Sequence, residues 1–332
     1  MPIVYVQEQG AIVRKRGARL LIEKDDQLLA EIHFRTTEAV GIFGNVQVTT
    51  QALSELLERG IPLALYTRHG RLKGHIVPEA PKNVDLRIAQ YRASLDGATV
   101  LQIAKAIVRA KLRNSAAMLS GYQSNYACPA LAGAMGELER LAASLAQASA
   151  MDQVLGIEGA GAAAYFAALR PVNRSDLPFD GRRKHPATDP VNALLSLGYT
   201  MAMNEIRSLA EGAGLEPHVG FLHAVDYGRP SLALDLLEPF RSIFVDRLTW
   251  MLINERVLVA ADFATRAAGP RAGSVVLMPD AFKRYIEAYE RESREDRPNL
   301  PGGVRKAMAA GVETLCAALR NSTAFEPYME PV

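Results

Sequence analysis

The spacing of hydrophobic positions changes near residue 80. Before this point, short apolar runs are separated by Gly and charged residues, which is a pattern typical of β-strands. One helix is predicted among these runs, with Thr50 as its N-cap and Gly60 at its end. Residues 68–71 read Arg-His-Gly-Arg and predict a hairpin turn between two of the runs. The strand-like runs are PIVYV, AIVRK, RLLIE, QLLAEIHF, EAVGIF, IPLALYT and LKGHIV.

After residue 85, apolar residues recur every three or four positions, which predicts helices. Pro239 falls inside one of them and predicts a kink or a boundary there. We therefore predict an α+β protein with an N-terminal β-rich domain (1–80), a linker (81–85) and a larger all-α domain (86–332). The predicted helices cover roughly residues 86–96, 98–121, 130–147, 151–170, 188–212, 231–265, 279–294 and 302–320.

Composition limits the compartment and the class of protein. The 332 residues are 49% hydrophobic with a net charge of +2, so any affinity for nucleic acid must come from a local basic patch. Cys128 and Cys316 lie far apart, which argues against a disulfide framework. The N-terminus lacks the pattern of a signal peptide, and the chain has no apolar run long enough to span a membrane. We expect a soluble, cytoplasmic protein without membrane contact.

Three separate segments supply side chains for a candidate metal site. Glu158 stands in GIEGAGAAAYF, His223 ends GFLH, and Asp235 and Glu238 lie three residues apart in SLALDLLEPFR. One imidazole with two or three carboxylates is a mixed N/O ligand set that suits Mg²⁺ or Mn²⁺. Each residue also has an ordinary interpretation: Glu158 as a solvated or capping residue, His223 as a hydrogen-bonded core residue, and Glu238 as a surface ion pair with Arg241. The residue types alone leave these alternatives open.

Two basic clusters are candidates for contact with a phosphate backbone. In the first, three cations spaced four residues apart share one face of the predicted helix 98–121. The second lies in a loop at 181–185 that is rich in Pro and Asp. Such clusters give salt-dependent affinity that does not depend on base sequence, although solvated surface charges are the ordinary alternative. The candidate DNA-binding residues are Lys105, Arg109, Arg113, Arg183 and Lys184.

Five sequence phrases in the helical half carry a family resemblance. They are K-x-x-N at 111–114, GIEGAGAAAYF, RRKHPATDPVNALLSLGYT, GLEPHVGFLH and RPSLALDLLEPFR. In this order they resemble the motifs of the CRISPR-associated integrase/endonuclease family of the spacer-acquisition (adaptation) module, and the chain is identified as a member. In the third phrase, the positions marked by the family motif are occupied by Arg183, Pro186, Asp189, Asn192 and Tyr199.

The resemblance implies a catalytic set of Glu158, His223, Asp235 and Glu238. In this set Glu158, His223 and Glu238 hold Mg²⁺ or Mn²⁺, Asp235 is a supporting carboxylate, and no other cofactor is expected. Many members carry Asp where this chain has Glu238. The implied activity is insertion of short double-stranded DNA fragments (spacers) into a CRISPR array by transesterification at phosphodiesters. The same site is expected to cleave or resolve branched DNA.

The resemblance also implies partners. The N-terminal domain is expected to mediate dimerisation and partner contact. Two homodimers are expected to flank a dimer of a small ferredoxin-like CRISPR-associated protein, which gives a heterohexamer that binds double-stranded and branched DNA. The alternatives are a non-catalytic DNA-binding scaffold subunit of the adaptation complex, a general repair nuclease for branched DNA, and a helical zinc hydrolase. The multi-His spacing of the last is absent.

Overall fold

The strand-like runs near the N-terminus form two four-stranded sheets in the computed structural model, which describes residues 3–78, 83–125, 128–183, 186–267 and 272–331. The strands are β1 (Ile3–Val6), β2 (Ile12–Arg16), β3 (Arg19–Lys24), β4 (Gln27–His33), β5 (Ala39–Phe43), β6 (Gln47–Val48), β7 (Leu63–Tyr66) and β8 (Leu72–Ile76). The first sheet has the order β1-β5-β7-β8, with the first three strands parallel and β8 antiparallel to β7. In the second, β4-β3-β2 is an antiparallel meander, and β6 runs parallel to β2.

Period-two alternation explains the core of this region, because hydrophobic residues of both sheets, including Val13, Ile22 and Ile42, are buried together. Helix α1 (Thr50–Glu58) contributes Ala52 to the same core. The N-cap of α1 is Thr49 rather than the predicted Thr50. The Thr49 hydroxyl accepts the Ala52 N–H at 3.3 Å, which satisfies one of the free donors of the first turn. The predicted hairpin turn before β8 is confirmed.

The second half of the chain is mostly helical, so the predicted α+β class is confirmed. Helix α2 begins at Val84, inside the predicted linker 81–85, and residues 81 and 82 lie outside the described residues. No helix of the described ranges is apolar enough over sufficient length to cross a bilayer. The helices are α2 (Val84–Leu95), α3 (Gly97–Asn125), α4 (Pro129–Ser144), α5 (Met151–Ala168), α6 (Pro190–Ala213), α7 (Ser231–Leu237), α8 (Arg247–Asn254), α9 (Pro279–Arg294) and α10 (Gly303–Asn321).

The single helix predicted over 231–265 is wrong. Helix α7 ends at Leu237 because Pro239 has no N–H to continue the hydrogen-bond ladder. A 3₁₀ turn (Glu238–Phe240) and a π-helical segment (Arg241–Asp246) follow before α8. Arg256 adopts a left-handed φ of 56° after α8, and the chain then forms an antiparallel pair of short strands. These strands, β9 (Phe263–Thr265) and β10 (Val275–Leu277), show that the second region is not all-α.

The chain divides into two compact units. The first comprises Met1–Pro81 with Phe282–Glu290, and the second comprises Lys82–Ala281 with Arg291–Val332. The middle of α9 therefore belongs to the β-rich unit, whereas the sequence placed all of this helix in the helical domain. Within the first unit, the Phe282 ring packs edge-on against Phe43 with 5.3 Å between centroids. Glu290 accepts the Ile3 N–H at 3.1 Å, which fixes the segment to β1.

Candidate active site

A cavity of about 430 Å³ in the second unit brings three of the predicted ligands together. Glu158 enters it from α5, His223 from the loop before α7, and Glu238 from the 3₁₀ turn after α7. Asp235 does not line the cavity and is fully buried behind it. Residues far apart in the sequence thus meet at one point of the helical unit.

Small residues in α5 allow Glu158 to reach its neighbours. Gly161 faces α3, where an added Cβ would overlap the Leu112 side chain. The two helices therefore approach closely at this glycine. One consequence is that the Lys111 ammonium of α3 contacts the Glu158 carboxylate across the gap.

Asp235 fixes the conformation of the segment that carries His223. Its carboxylate accepts the backbone N–H groups of Phe221, Leu222 and His223 at 2.6, 2.9 and 2.9 Å, and it contacts His223 Nδ1 at 2.7 Å. Because a carboxylate accepts, Nδ1 carries the hydrogen, which leaves Nε2 as the ring nitrogen that faces Glu238. Four hydrogen bonds occupy the four lone-pair sites of Asp235. This carboxylate therefore acts on the site through His223.

The tight turn around Asp235 requires Gly220. A Cβ at this position would lie 2.6 Å from Asp235 Oδ2 and 2.8 Å from the Ser231 carbonyl carbon. Neither neighbour can move freely, since Ser231 and Asp235 are both fully buried at the start of α7. Gly220 is therefore required for the turn that positions His223.

Glu238 is buried and surrounded by positive groups. Its carboxylate lies 2.7 Å from Lys111 Nζ, 2.9 Å from Arg241 Nε and 3.9 Å from His223 Nε2. Burial alone would raise the pKa of Glu238, but the charges of Arg241 and Lys111 outweigh it and lower the pKa to about 2. Burial likewise lowers the pKa of Lys111, and the charges of Glu238 and Glu158 reverse the effect and raise it. Both groups are therefore charged at neutral pH.

Arg241 and Glu238 do form the ion pair that the sequence suggested, but the pair lies in the cavity wall rather than on the surface. The Arg241 guanidinium also stacks over the Tyr199 ring, 4.5 Å from its centroid. The Tyr199 and Tyr165 hydroxyls donate to Asp246, the latter at 2.9 Å. The π-helical segment has i→i+5 hydrogen bonds, which bring residues five apart onto one side of the helix. Arg241 and Asp246 are five apart, and both therefore contact Tyr199.

The third sequence phrase forms the rim of the cavity. Asp189 caps α6 by accepting the Asn192 N–H at 2.8 Å, and buried Asn192 donates to the Gly181 carbonyl at 2.9 Å. This arrangement turns Arg182 into the cavity, where it donates to Asn192 at 2.8 Å and to Ser196 at 3.1 Å. The neighbouring Arg183, which matched the family motif, is exposed instead.

The predicted DNA-binding residues lie elsewhere. On α3, Lys111 and Ser115 line the cavity. At 3.6 residues per turn, the basic stripe formed by Lys105, Arg109 and Arg113 lies on another face of the helix. Of that stripe, Arg113 is exposed, and Lys105 donates to the Ala146 carbonyl at 3.4 Å. Lys184 lies outside the described residues. Contact of the stripe and of Arg183 with DNA therefore stays a prediction, and it would involve DNA that extends beyond the cavity.

The donor set fits a divalent cation. Two carboxylates, those of Glu158 and Glu238, already hold one shared positive group, the Lys111 ammonium, and His223 Nε2 faces the same place. Glu238 Oε2 is buried and lies 2.7 Å from the Lys111 ammonium, so this oxygen already faces a cation. Within the described residues, no group of three His, Cys, Asp or Glu side chains is arranged to hold a metal as it stands. A metal ion would have to replace Lys111 between the carboxylates.

The family model described as CRISPR associated protein Cas1 matches residues 4–291 of the sequence. The chain belongs to the Cas1 family. It is 36% identical over 301 residues to the CRISPR-associated exonuclease Cas4/endonuclease Cas1 fusion of Geobacter sulfurreducens, covering 88% of this chain and 53% of the fusion. The chain thus spans about half the length of that relative. It is 35% identical over 305 residues to CRISPR-associated endonuclease Cas1 2 of Rhodospirillum rubrum, covering 89% of this chain and 87% of the relative.

Solved structures share the fold of this Cas1-family chain. A chain of a Cas6-RT-Cas1–Cas2 complex matches with a TM-score of 0.81 at 22% identity, over 99% of this chain and 36% of that one. A casposase bound to an integration product matches with a TM-score of 0.80 at 21% identity, over 98% of this chain and 93% of the casposase. At such identities the likeness establishes the fold alone.

Sequence reasoning missed four residues at the cavity of this Cas1-family chain. The sequence did indicate Lys111, since the K-x-x-N phrase places Lys111 and Asn114 three residues apart, on one face of a helix. Asn114 donates to the Pro239 carbonyl at 2.7 Å, so the phrase ties α3 to the turn that carries Glu238. The others become visible only once α5, α6 and the π-segment pack together. They are Tyr165, Arg182 and Asp246.

Asp246 makes stability depend on pH. Burial raises its pKa from 3.8 to about 6, despite the hydroxyls of Tyr199 and Tyr165 that donate to it. The folded state therefore keeps this proton to a higher pH than the unfolded chain, and the free energy of unfolding falls as the pH rises from about 4 to about 6. At about 1.4 kcal/mol per pH unit the loss is about 3 kcal/mol. Asp246→Asn removes this titrating group and the loss of stability with it. The free energy of unfolding of the variant should therefore rise relative to that of the native protein as the pH increases across this range.

Urea unfolding followed by circular dichroism at pH 4, 5, 6 and 7 checks this prediction. Asp176→Asn, at an exposed position, controls for the loss of one carboxylate. A difference between Asp246→Asn and native protein that stays constant from pH 4 to 7 would show that Asp246 is not the titrating group.

Proposed function

We propose that this Cas1-family chain is a divalent-metal-dependent DNA integrase and endonuclease. It joins the 3′ ends of short double-stranded fragments into a CRISPR array. The observation that carries the proposal is that Glu158, His223 and Glu238 line one cavity, where the Lys111 ammonium lies between the two carboxylates. Two further findings support it: curated relatives are named CRISPR-associated endonucleases, and a casposase of the same fold is bound to an integration product.

Glu158, His223 and Glu238 are the residues that would hold Mg²⁺ or Mn²⁺. Two carboxylates and one imidazole are ligands for such ions, and bound there the ion would polarise a phosphoryl oxygen of the scissile phosphodiester. Asp235 acts as a positioning residue, because it keeps the hydrogen on His223 Nδ1 and directs Nε2 toward Glu238. Arg241 holds the other side of Glu238, which limits rotation of this carboxylate.

The reaction exchanges one phosphodiester for another. The 3′-hydroxyl of the fragment gives up its proton and forms a bond to phosphorus, and the bond to a 3′-oxygen of the array strand breaks. That oxygen leaves with the electron pair and takes up a proton, so the exchange consumes no net proton. Lys111, released from the carboxylates, lies within the cavity and can neutralise charge on the phosphate. Arg182 and Arg241 add two further positive groups to the same wall.

The same site explains how branched DNA would be processed. Because one phosphodiester is made for each one broken, the exchange is close to balanced and can run in reverse on a branched product. When water replaces the 3′-hydroxyl as the nucleophile, the outcome is strand cleavage. Integration, resolution of branches and endonuclease activity are therefore three outcomes of one arrangement.

The proposed assembly is a homodimer that joins a small ferredoxin-like CRISPR-associated partner in a heterohexamer on DNA. A structural neighbour that contains Cas1 together with Cas2 supports a partner of this kind. The basic stripe on α3 would contact the phosphate backbone away from the reacting group, because it does not line the cavity.

A strand-transfer assay on branched DNA with Mn²⁺ tests the activity. Glu158→Gln and His223→Ala remove a proposed ligand, and each should lower the rate by about 100-fold or more while DNA binding persists. Asp235→Asn acts through His223 and should lower the rate by about 10–100-fold. Glu137→Gln changes a partly exposed glutamate of α4 that pairs with Arg140 and does not line the cavity, and should react like the native protein.

The outcomes separate the alternatives. Native protein that binds DNA without joining or cutting strands would support the non-catalytic scaffold. Ligand variants that retain the native rate would show that the reacting group lies elsewhere. Activity on any branched DNA, with no preference for a repeat sequence, would favour a general repair nuclease.

The basic stripe is tested by the salt dependence of DNA binding. Replacing Arg109 and Arg113 with Glu should weaken binding and make the slope of log K against log salt shallower by about two units, because each cation that neutralises a phosphate contributes about one unit. Arg140→Glu, at an exposed position of α4, is the matched control. An unchanged slope would show that the stripe is only a solvated helix face.

A further inference from the structure

Segment 325–330 is an extended stretch of the second unit that follows α10. Ser322 ends α10 with a left-handed φ of 51°. Beyond it, Phe325 and Pro327 are buried, whereas Glu326 and Met329 are exposed. Such alternation is typical of an extended chain that has one side against the protein. The segment is therefore a packed part of the unit.

Buried Asn114 joins this segment to the turn that carries Glu238. Its Nδ2 donates to the Pro239 carbonyl at 2.7 Å and to the Tyr328 carbonyl at 3.0 Å, and its Oδ1 accepts the Glu330 N–H at 2.7 Å. The amide can adopt only this orientation, because the reverse one would set its oxygen against two carbonyl oxygens. One side chain of α3 thus connects three parts of the chain.

Stacked aromatic rings make a second connection. The Tyr328 ring stacks on Phe240 with 5.9 Å between centroids and an interplanar angle of 18°. The Tyr328 hydroxyl lies 2.9 Å from the Asn299 carbonyl oxygen and 3.0 Å from Glu330 Oε2, both of which are acceptors for its hydrogen. Phe240 itself is buried. The Tyr328 ring is therefore held at its hydroxyl, and its face holds Phe240.

The two residues held in this way directly follow Glu238. Pro239 and Phe240 complete the 3₁₀ turn that Glu238 begins, so their positions determine the direction in which the Glu238 side chain leaves the backbone. Neither Asn114 nor Tyr328 lines the cavity, and both belong to the same unit as Glu238. Any effect of these two residues on the site must therefore be transmitted through the turn.

We propose that segment 325–330 positions Glu238 for metal binding, with Asn114 and Tyr328 as positioning residues that act through the turn Glu238–Phe240. The inference rests on the proposed function, because the divalent metal is the ligand that Glu238 would hold. Contacts that orient a metal ligand change metal affinity by about 10–100-fold. Coupling between two sites is reciprocal, so the metal must stabilise the docked segment by the same factor.

The affinity for Mn²⁺, measured by isothermal titration calorimetry on the full chain, tests the role of the segment. Tyr328→Ala removes the ring that stacks on Phe240 and should weaken binding about tenfold. Tyr328→Phe keeps the ring and should bind like the native protein. Glu326→Ala, at an exposed position of the same segment, and Tyr91→Ala, at an exposed position of α2, are matched controls.

Asn114→Ala removes the other connection and should also weaken Mn²⁺ binding about tenfold. Because Asn114 is fully buried, circular dichroism must show that this variant folds. If it does not fold, the comparison of Tyr328→Ala with Tyr328→Phe decides, since the Tyr328 side chain is only half-buried.

Hydrogen exchange followed by mass spectrometry tests the reciprocal effect. The Glu330 N–H donates to Asn114, so it exchanges when the segment leaves its site. If the undocked state binds Mn²⁺ about tenfold more weakly, saturating Mn²⁺ should slow exchange in the peptide that contains residues 328–330 by up to about tenfold. Exchange in Glu158→Gln, which lacks a proposed ligand, should not respond at the same Mn²⁺ concentration.

The outcomes separate this inference from the proposed function. Native protein that binds Mn²⁺ no more tightly than Tyr328→Ala, or exchange that is the same with and without Mn²⁺, would overturn the inference and leave the metal site intact. Equal loss of affinity in Glu326→Ala, or in Tyr328→Phe, would overturn it too. Native protein that binds no Mn²⁺ would refute the proposed metal site and the inference with it.

Discussion

The active-site region depends on one ionic contact, that of the Lys111 ammonium with Glu158 and Glu238. Two carboxylates that converge in a largely buried cavity repel each other unless a cation lies between them. The position of this cation requires α5 to approach α3 at Gly161 and requires the helix to break before Pro239. Close helix packing and the irregular turn are thus two conditions of the same electrostatic arrangement.

Two further networks extend from this contact. On one side, Asp235 connects the His223 imidazole to three backbone N–H groups, and Gly220 leaves the space for them. On the other side, Arg241 links Glu238 to the Tyr199 ring, whose hydroxyl donates to buried Asp246. The first network orients a proposed metal ligand. The second stabilises a positive wall of the cavity, but it also buries Asp246, whose raised pKa lowers stability at neutral pH.

Sequence patterns predicted the features that depend on local periodicity. The strands, the small-residue helix that carries Glu158 and the break at Pro239 follow from the spacing of apolar residues and from backbone chemistry. The antiparallel strands β9 and β10 were missed, because three-residue strands carry too little pattern to be separated from a helix. The roles of Lys111 and Arg182 depend on contacts between helices, which spacing within one helix does not specify.

The measurement that tests this account most directly is the affinity for Mn²⁺ by isothermal titration calorimetry, with native protein and Lys111→Met compared. If Lys111 and the metal use the same carboxylates, removal of the ammonium should strengthen Mn²⁺ binding at least tenfold. Arg113→Met removes an exposed cation from the same helix and should leave the affinity unchanged. Equal or weaker binding by Lys111→Met would contradict the account, because Lys111 would then not compete for Glu158 and Glu238.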